Sequence, residues 1–443
     1  MSITLLLWLI GFATLLILAF LRPAWGVALY MLTFFAMPPL WWWGDPIAEL
    51  RWSLYGGCAL LASVVFSKFF RSPQETGGNG PSGRVLAMIV AAILVNATFV
   101  HCALAENMQV SAGAYFLLAK FVLLFFLITA AVRTRTDFQI VLFSILLGAG
   151  YIGYEVTVND RGRIRSGRLE GVGAPGAEGA NELASLMVSI LPLTGAVFVA
   201  GRTWEKAAML VVAPFVLNVV LLCSSRGALL ATSISAVLVL VLAPSHIRRK
   251  IWFLLMLGGV ATWLLLGDVR IVERFLTTFQ SSEERDTSAS SRLVYWGAGL
   301  RVIADYPLGS GGSGFKTVHG PKYLKSLDIH YERRAVHNGY INEACEWGIQ
   351  GLLLRLALMG GALVCMWKTM ICCDRRFDSF GAAVGCTLIA GTVAFLITCL
   401  FGDRLDAEWG YWLAAITVCY ARVFGDVFPA DSNAPVAQAV AGS

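Results

Sequence analysis

Charge is what this sequence has least of. Asp, Glu, Lys and Arg make up only 14% of its 443 residues, against about 25% in a soluble domain, which excludes a water-soluble globule. Alternating apolar and polar residues of the kind a lipid-facing strand needs are absent, which excludes a β-barrel. None of the ten cysteines forms a CxxC pair. Six of them (Cys58, Cys223, Cys365, Cys386, Cys399 and Cys419) lie inside apolar runs, where cysteine acts as a small hydrophobe. The net charge of +6 is modest and dispersed, so there is no basic footprint and no nucleic-acid partner is expected.

What fills the chain instead is apolar sequence, 57% of it, in runs close to the ~20 residues that cross a bilayer as a helix. The expected fold class is an all-α polytopic membrane protein of about 12–13 transmembrane helices with a large helical outer loop between late spans. Thirteen runs lie near 2–21, 24–42, 52–67, 85–104, 113–132, 138–155, 181–200, 207–223, 228–243, 251–267, 351–370, 380–401 and 410–424. The first two are separated only by "RPA" and also fit a re-entrant pair, which gives twelve. The run "ITLLLWLIGFATLLILAFL" is too long for a signal-peptide core and lacks a small-residue cleavage site, so a retained helix is expected.

Short loops rich in Lys and Arg mark the cytoplasm. "SKFFRSPQETGGNGPSGR" (68–84), "RTRTD" (133–137), "GRTWEK" (201–206), "SHIRRK" (245–250) and "CCDRRFD" (372–378) all fall on one side. The outer side then receives residues 159–182, the turn at Arg226, the long segment 268–350 and "GDRLDAEW" (402–409). Arg161, Arg163, Arg165, Arg168 and Arg226 therefore sit where the rule disfavours positive charge. A charge at mid-bilayer costs about 2.5–3.5 kcal/mol on insertion scales, less toward the interface. Arginines kept at that depth point to a bound anion; contact with lipid headgroups is the alternative.

The segment 268–350 holds ten Lys or Arg, ten Asp or Glu and three of the five histidines. It opens with a helix-like "DVRIVERFLTTFQ", followed by the polar "SSEERDTSASS". Leu293, Trp296, Leu300 and Ile303 then recur at helical spacing until Pro307 and the glycines of "GSGGSGF" stop the helix. A second helix is predicted to start near His337 and to run into the span at 351. Asp328, His330 and Glu332, with His319 or His337, are residue types that suit zinc, but their spacing matches no metal motif. The glycines have no strand before them and no GK[ST] after them, so a phosphate loop is rejected.

In order, "SSRGALLA", "SRLVYWGAGLRVIADYPLGSGGSGF" and "VHNGYINEACEWGIQGLLL" resemble the O-antigen ligase and polymerase superfamily of bacterial inner-membrane lipid-linked glycan transferases. The resemblance rests on Ser225–Arg226–Gly227; Arg292 with Trp296; Asp305, Pro307, Gly309, Gly311 and Phe315; His337–Asn338 and Tyr340; and Glu346, Gly348 and Gly351. Phe315 stands one or two places closer to the last glycine than in many members. The amino-terminal "RPAWGVALYMLTFFAMPP" and "GANELASLMVSILPL" also resemble a subgroup of O-glycosylation ligases linked to exosortase loci. The resemblance implies a membrane-embedded, metal-independent glycosyltransferase of lipopolysaccharide biosynthesis, without cofactor, its active site facing the periplasm. It would move a glycan from undecaprenyl diphosphate to lipid A-core or another hydroxyl acceptor, using two arginines and one histidine. The apolar runs give amino-terminal membrane helices over 1–267, carboxy-terminal membrane helices over 351–424 and a flexible tail over 425–443, and the resemblance implies that the segment 268–350 is a periplasmic catalytic loop.

Such a donor keeps its lipid tail in the bilayer and its diphosphate at the interface, where arginine stays charged and grips phosphate oxygens bidentately. The loop has no DxD pair to hold a metal, so arginines have to neutralise the leaving diphosphate. Arg226 and Arg292 are assigned to it, with Arg301, Arg161, Arg163, Arg165 and Arg168 as further candidates. His337 is assigned as general base, matched to the task by an unperturbed pKa near ~6.5. Attack opposite the leaving group would invert the anomeric centre. Asn338 and Glu346 fit either sugar binding or helix-start packing, and Trp296 fits either sugar stacking or interface anchoring. A polymerase or a protein O-glycan ligase shares this donor chemistry. A glycolipid flippase would need charged or polar residues in many spans, and these spans are nearly free of charge, with Lys120 and Arg355 among the exceptions.

Overall fold

The computed structural model describes residues 2–70, 80–165, 167–173, 176, 179–265, 287–325 and 335–425. Among these residues there are fifteen α-helices and one two-stranded hairpin, an all-α membrane architecture. The helices preceding the hairpin are α1 (Ile3–Leu21), α2 (Pro23–Phe35), α3 (Trp52–Phe70), α4 (Pro81–Phe99), α5 (Met108–Ala131) and α6 (Arg135–Val158). Strands β1 (Arg163–Arg165) and β2 (Arg168–Glu170) follow, then α7 (Ala180–Ala200), α8 (Thr203–Leu222), α9 (Arg226–Leu242) and α10 (Ser245–Leu265). The segment after α10, termed the outer segment from its expected side, contributes α11 (Thr287–Asp305) and the short α12 (Gly320–Lys325). The chain then returns through α13 (Gly339–Arg375), α14 (Ser379–Thr398) and α15 (Glu408–Tyr420). Among the described residues, ten helical segments are long and apolar enough to cross a membrane. α1 and α2 are among the ten, packed on each other with Arg22 extended between them. The stretches 268–280 and 281–286, the residues Asp328, His330 and Glu332, and the tail after 425 lie outside the described residues.

Apolarity sends these helices into a membrane, but residue size decides which of them reach the centre. In α14, 83% of the apolar window is buried, against 17% in α1. The buried face of α14 is built from Gly381, Ala382, Ala383, Gly385, Ala390, Gly391 and Ala394. Small residues let helix backbones approach closely, which is how helices associate when lipid is as apolar as leucine. α7, α9 and α13 pack around α14, while α1 and α3 turn Ile3, Leu7, Phe20 and Phe69 outward.

Ion pairs join the basic loops at one end of the bundle. Arg22 pairs with Asp137, Arg135 with Asp378 at 2.6 Å, and His246 with Asp374 at 3.5 Å. The opposite end carries the hairpin, the N-terminus of α9, the α14–α15 loop and the outer segment.

The outer segment is fixed to the bundle through a break in α13. Gly348 takes φ 79° and ψ 170°, a left-handed conformation that interrupts the helix and frees carbonyls on its N-terminal side. The segment "PLGSGG" supplies the missing donors. The N–H groups of Ser310 and Gly311 donate to the carbonyls of Cys345 and Glu346 at 3.0 Å each, and Asn96 donates to Trp347 at 2.9 Å. Gly312 N–H donates to Ser111 Oγ at 3.1 Å and Ile349 N–H to the Pro307 carbonyl at 3.0 Å. These glycines therefore cap a broken membrane helix. Across the same break, Arg355 Nε donates to Glu343 Oε1 at 2.9 Å, both side chains being buried. The Arg355 guanidinium also lies 4.5 Å from the Tyr411 ring centroid.

Candidate functional site

Ser225 ends its extended stretch by capping α9, accepting the Ala228 N–H on its side-chain oxygen at 3.4 Å. Arg226 is then the first helical residue, with its charge added to the positive end of the helix dipole. The α14–α15 loop descends onto this turn. A Cβ on Gly227 would stand 2.6 Å from the Phe401 ring, and one on Gly339 2.9 Å from the Leu405 N. Glycine at both places lets the loop close over the starts of α9 and α13.

That close approach brings Asp403 to His337. The Asp403 carboxylate accepts the backbone N–H of His337 at 2.9 Å and of Asn338 at 3.1 Å. The His337 Nδ1 stands 3.8 Å from Asp403 Oδ2, too long for a hydrogen bond and close enough for charge pairing. His337 itself is left-handed at φ 58°, an unfavourable conformation for a side chain with a Cβ. The two Asp403 bonds hold it there, and the ring remains 36% exposed. Tyr295, one helical turn beyond Arg292 on α11, presents its ring edge-on to His337 with centroids 6.3 Å apart.

Arg292 is half-buried beside this pair. Burial pushes its guanidinium below the usual arginine value, the positive charges of Arg168 and Arg226 push the same way, and Asp403 opposes them. Three arginines from β2, α9 and α11 are thus electrostatic neighbours, with the His337–Asp403 pair alongside. Burial raises the Asp403 carboxyl to about 7, with the nearby negative charges of Asp406 and Glu182 adding to the rise and the two backbone N–H bonds opposing it.

The remaining candidates separate according to local geometry. Register pairs Arg165 with Arg168 and Arg163 with Glu170 across the hairpin. Arg168 reaches the cluster, while Arg163 and Arg165 are exposed. Arg161 is a tie instead: its guanidinium donates to the carbonyls of Leu40 at 2.5 Å and Val172 at 3.1 Å. Arg301 lies nine residues beyond Arg292 on α11, about 180° round the helix, and is exposed on the opposite face. Asn338 caps α13, accepting from the N–H groups of Tyr340 and Ile341. Glu346 is buried beside the Asn342 side chain and the Ser313 backbone. Trp296 packs on the apolar cluster of Tyr295, Ala298, Val302 and Phe315 that joins α11 to the segment after it. Asp403 was not among the residues the sequence singled out; only its place in the outer loop "GDRLDAEW" hinted at it.

Compared with known families, residues 209–356 match the model described as O-Antigen ligase. The match covers about a third of the chain and includes Arg226, Arg292 and His337, while Arg168 and Asp403 lie outside it. No curated protein matches the chain.

Proposed function

We propose that this chain, whose residues 209–356 are those of the O-antigen ligase superfamily, moves a glycan from undecaprenyl diphosphate to an acceptor hydroxyl at the periplasmic face of a bacterial inner membrane. The observation that carries the reading is the convergence of Arg168, Arg226 and Arg292 beside the His337–Asp403 pair. Three guanidiniums held together repel one another, and an incoming diphosphate relieves that repulsion while accepting bidentate hydrogen bonds. As the anomeric carbon–oxygen bond breaks, its electron pair passes to the diphosphate, and the fixed positive charges stabilise the growing anion. The acceptor oxygen forms the new bond and gives its proton to His337. Nδ1 is turned toward Asp403, and Nε2 is assigned to take that proton while the carboxylate steadies the imidazolium. Attack from the side opposite the diphosphate inverts the anomeric centre. The acceptor we assign is lipid A-core. In this scheme arginine does the neutralising that other glycosyltransferases give to a divalent cation.

The test is complementation in a strain lacking its own ligase, with the wild type beside Arg226→Ala, Arg292→Ala and His337→Ala at matched membrane levels. Loss of surface glycan in all three, with the wild type restoring it, is the expected result. Full activity of His337→Ala would sink the general-base assignment. A ladder confined to lipid-linked intermediates would point to polymerisation instead.

A further inference from the structure

A second feature of the outer end is not used by this chemistry. A cavity of about 670 Å³ opens between the loop after α2 and the start of the hairpin, lined by Trp42, Asn159, Asp160, Arg161, Gly162, Arg163 and Gly171. In "WWWGD", Trp41 and Trp43 are buried, at 2% and 3%, whereas Trp42 is 50% exposed. The ring of Trp42 is held, not loose, because its indole N–H donates to Glu155 Oε2 at 3.0 Å. Asn159 donates to the same carboxylate oxygen at 3.1 Å. Arg161 pins the floor by binding the Leu40 and Val172 carbonyls and lying 5.7 Å from the Trp41 ring centroid. Asp160, held at φ 49°, and Asn159 and Arg163 are exposed around the rim.

We propose that this cavity is a glycan subsite, in which Trp42 stacks on a sugar ring of the donor chain beyond the one attached to diphosphate; the assignment to the donor rests on the reading of the preceding subsection. A fixed aromatic face offers negative potential to the C–H face of a pyranose. An amide, a carboxylate and a guanidinium around it match the alternating donors and acceptors of the ring's hydroxyls. A phospholipid headgroup would call on Arg163 but would leave Asp160 opposed to its phosphate. Position supports the same occupant. Arg163 and Arg165 lead along β1 to the partner of Arg168, a step of about 7 Å along the strand and about 5 Å across. The cavity thus sits within a few sugar units of the arginine cluster, on the same hairpin.

The test compares two donors on purified full-length protein in nanodiscs: undecaprenyl diphosphate bearing a single sugar, too short to reach the cavity, and the long-chain form from a ligase-deficient strain. Trp42→Ala should lower the ratio of kcat/KM for long over short donor about tenfold, with Trp42→Phe recovering most of it and Asp160→Ala lowering it in the same direction. Binding of the released glycan chain, followed by saturation-transfer NMR, should weaken in parallel. An unchanged ratio, or an equal fall with both donors, overturns the subsite. So does a Trp42 dependence found only for anionic phospholipid in the nanodisc. If the wild type transfers neither donor but binds the released chain through Trp42, the glycan subsite stands and the ligase reading falls.

Discussion

Arg355 and Arg292 are both drawn out of water, and they are held in opposite ways. Arg355 has a carboxylate at 2.9 Å, an aromatic face at 4.5 Å, and lies inside the bundle. The charges nearest in effect to Arg292 are two further arginines, with Asp403 only partly offsetting them. The first charge is compensated by its carboxylate; removing either partner would strand a buried charge. The second gathers like charges, an arrangement that suits a multiply charged anion. A charge in a membrane protein is a functional hypothesis by default, and these two residues show how to divide the default. A carboxylate partner indicates a staple, here across the Gly348 break, whereas gathered like charges suit an anionic ligand.

The sharpest way to break that division is to neutralise each type and ask what is lost. His337→Ala should lower kcat by about 10²–10⁴-fold, the usual worth of a positioned proton acceptor. Arg292→Ala should lower kcat/KM by about 10²–10³-fold. In both, the thermal midpoint in mild detergent should stay near that of the wild type. Glu343→Gln should do the reverse, costing about 3–5 kcal/mol of stability by leaving Arg355 uncompensated. Replacing both partners together, Glu343→Leu with Arg355→Met, should recover most of the midpoint. If Glu343→Gln unfolds no earlier than the wild type, the pair is not a staple and the contrast drawn here collapses.

A smaller effect is expected at Asp403, and it carries a pH signature. Its carboxyl is raised to about 7 by burial, so it loses its charge as pH falls through 7, the range in which an ordinary histidine gains one. Both changes disable the pair in the same direction. The kcat/KM of the wild type should therefore rise with pH through an apparent value near 7 that belongs to the pair together. Asp403→Asn should keep one backbone acceptor, lose about tenfold in kcat and flatten the steepness of that limb. A wild-type profile flat from pH 6 to 8 would remove Asp403 from the mechanism.

The pieces of this site differed in how far the sequence could disclose them. Arg226 stood out as a candidate because it interrupts two apolar runs, whereas Arg292 and His337 became candidates only through the resemblance of the motifs that hold them. The helices were legible because a bilayer imposes one length on every run. Asp403 was not, because it reaches His337 across 66 residues from a short polar loop whose composition resembles any turn. The three hairpin arginines could not be told apart, because strands of three residues are shorter than any period that would sort their faces. Nor did the glycines of "PLGSGG" declare their use: a backbone cap depends on where carbonyls are left open in α13, and that is a property of the partner.

The smallest expected effect tests whether position or mere charge matters in the outer segment. Arg292 and Arg301 share α11, and both are positive. Nine residues place them about 180° apart around the helix, with Arg292 turned to Arg168 and Arg226 and Arg301 exposed on the far side. At an exposed site, salt screens a charge beyond about 8 Å in physiological buffer. Arg301→Ala should therefore change kcat/KM by no more than about twofold, and that change should vanish in 0.5 M salt. Suppose instead that Arg301→Ala loses as much as Arg292→Ala, and that the loss persists in salt. The outer segment would then recruit its anion through the summed field of a positive surface, and the repulsion at Arg292 would be incidental rather than the mark of a site.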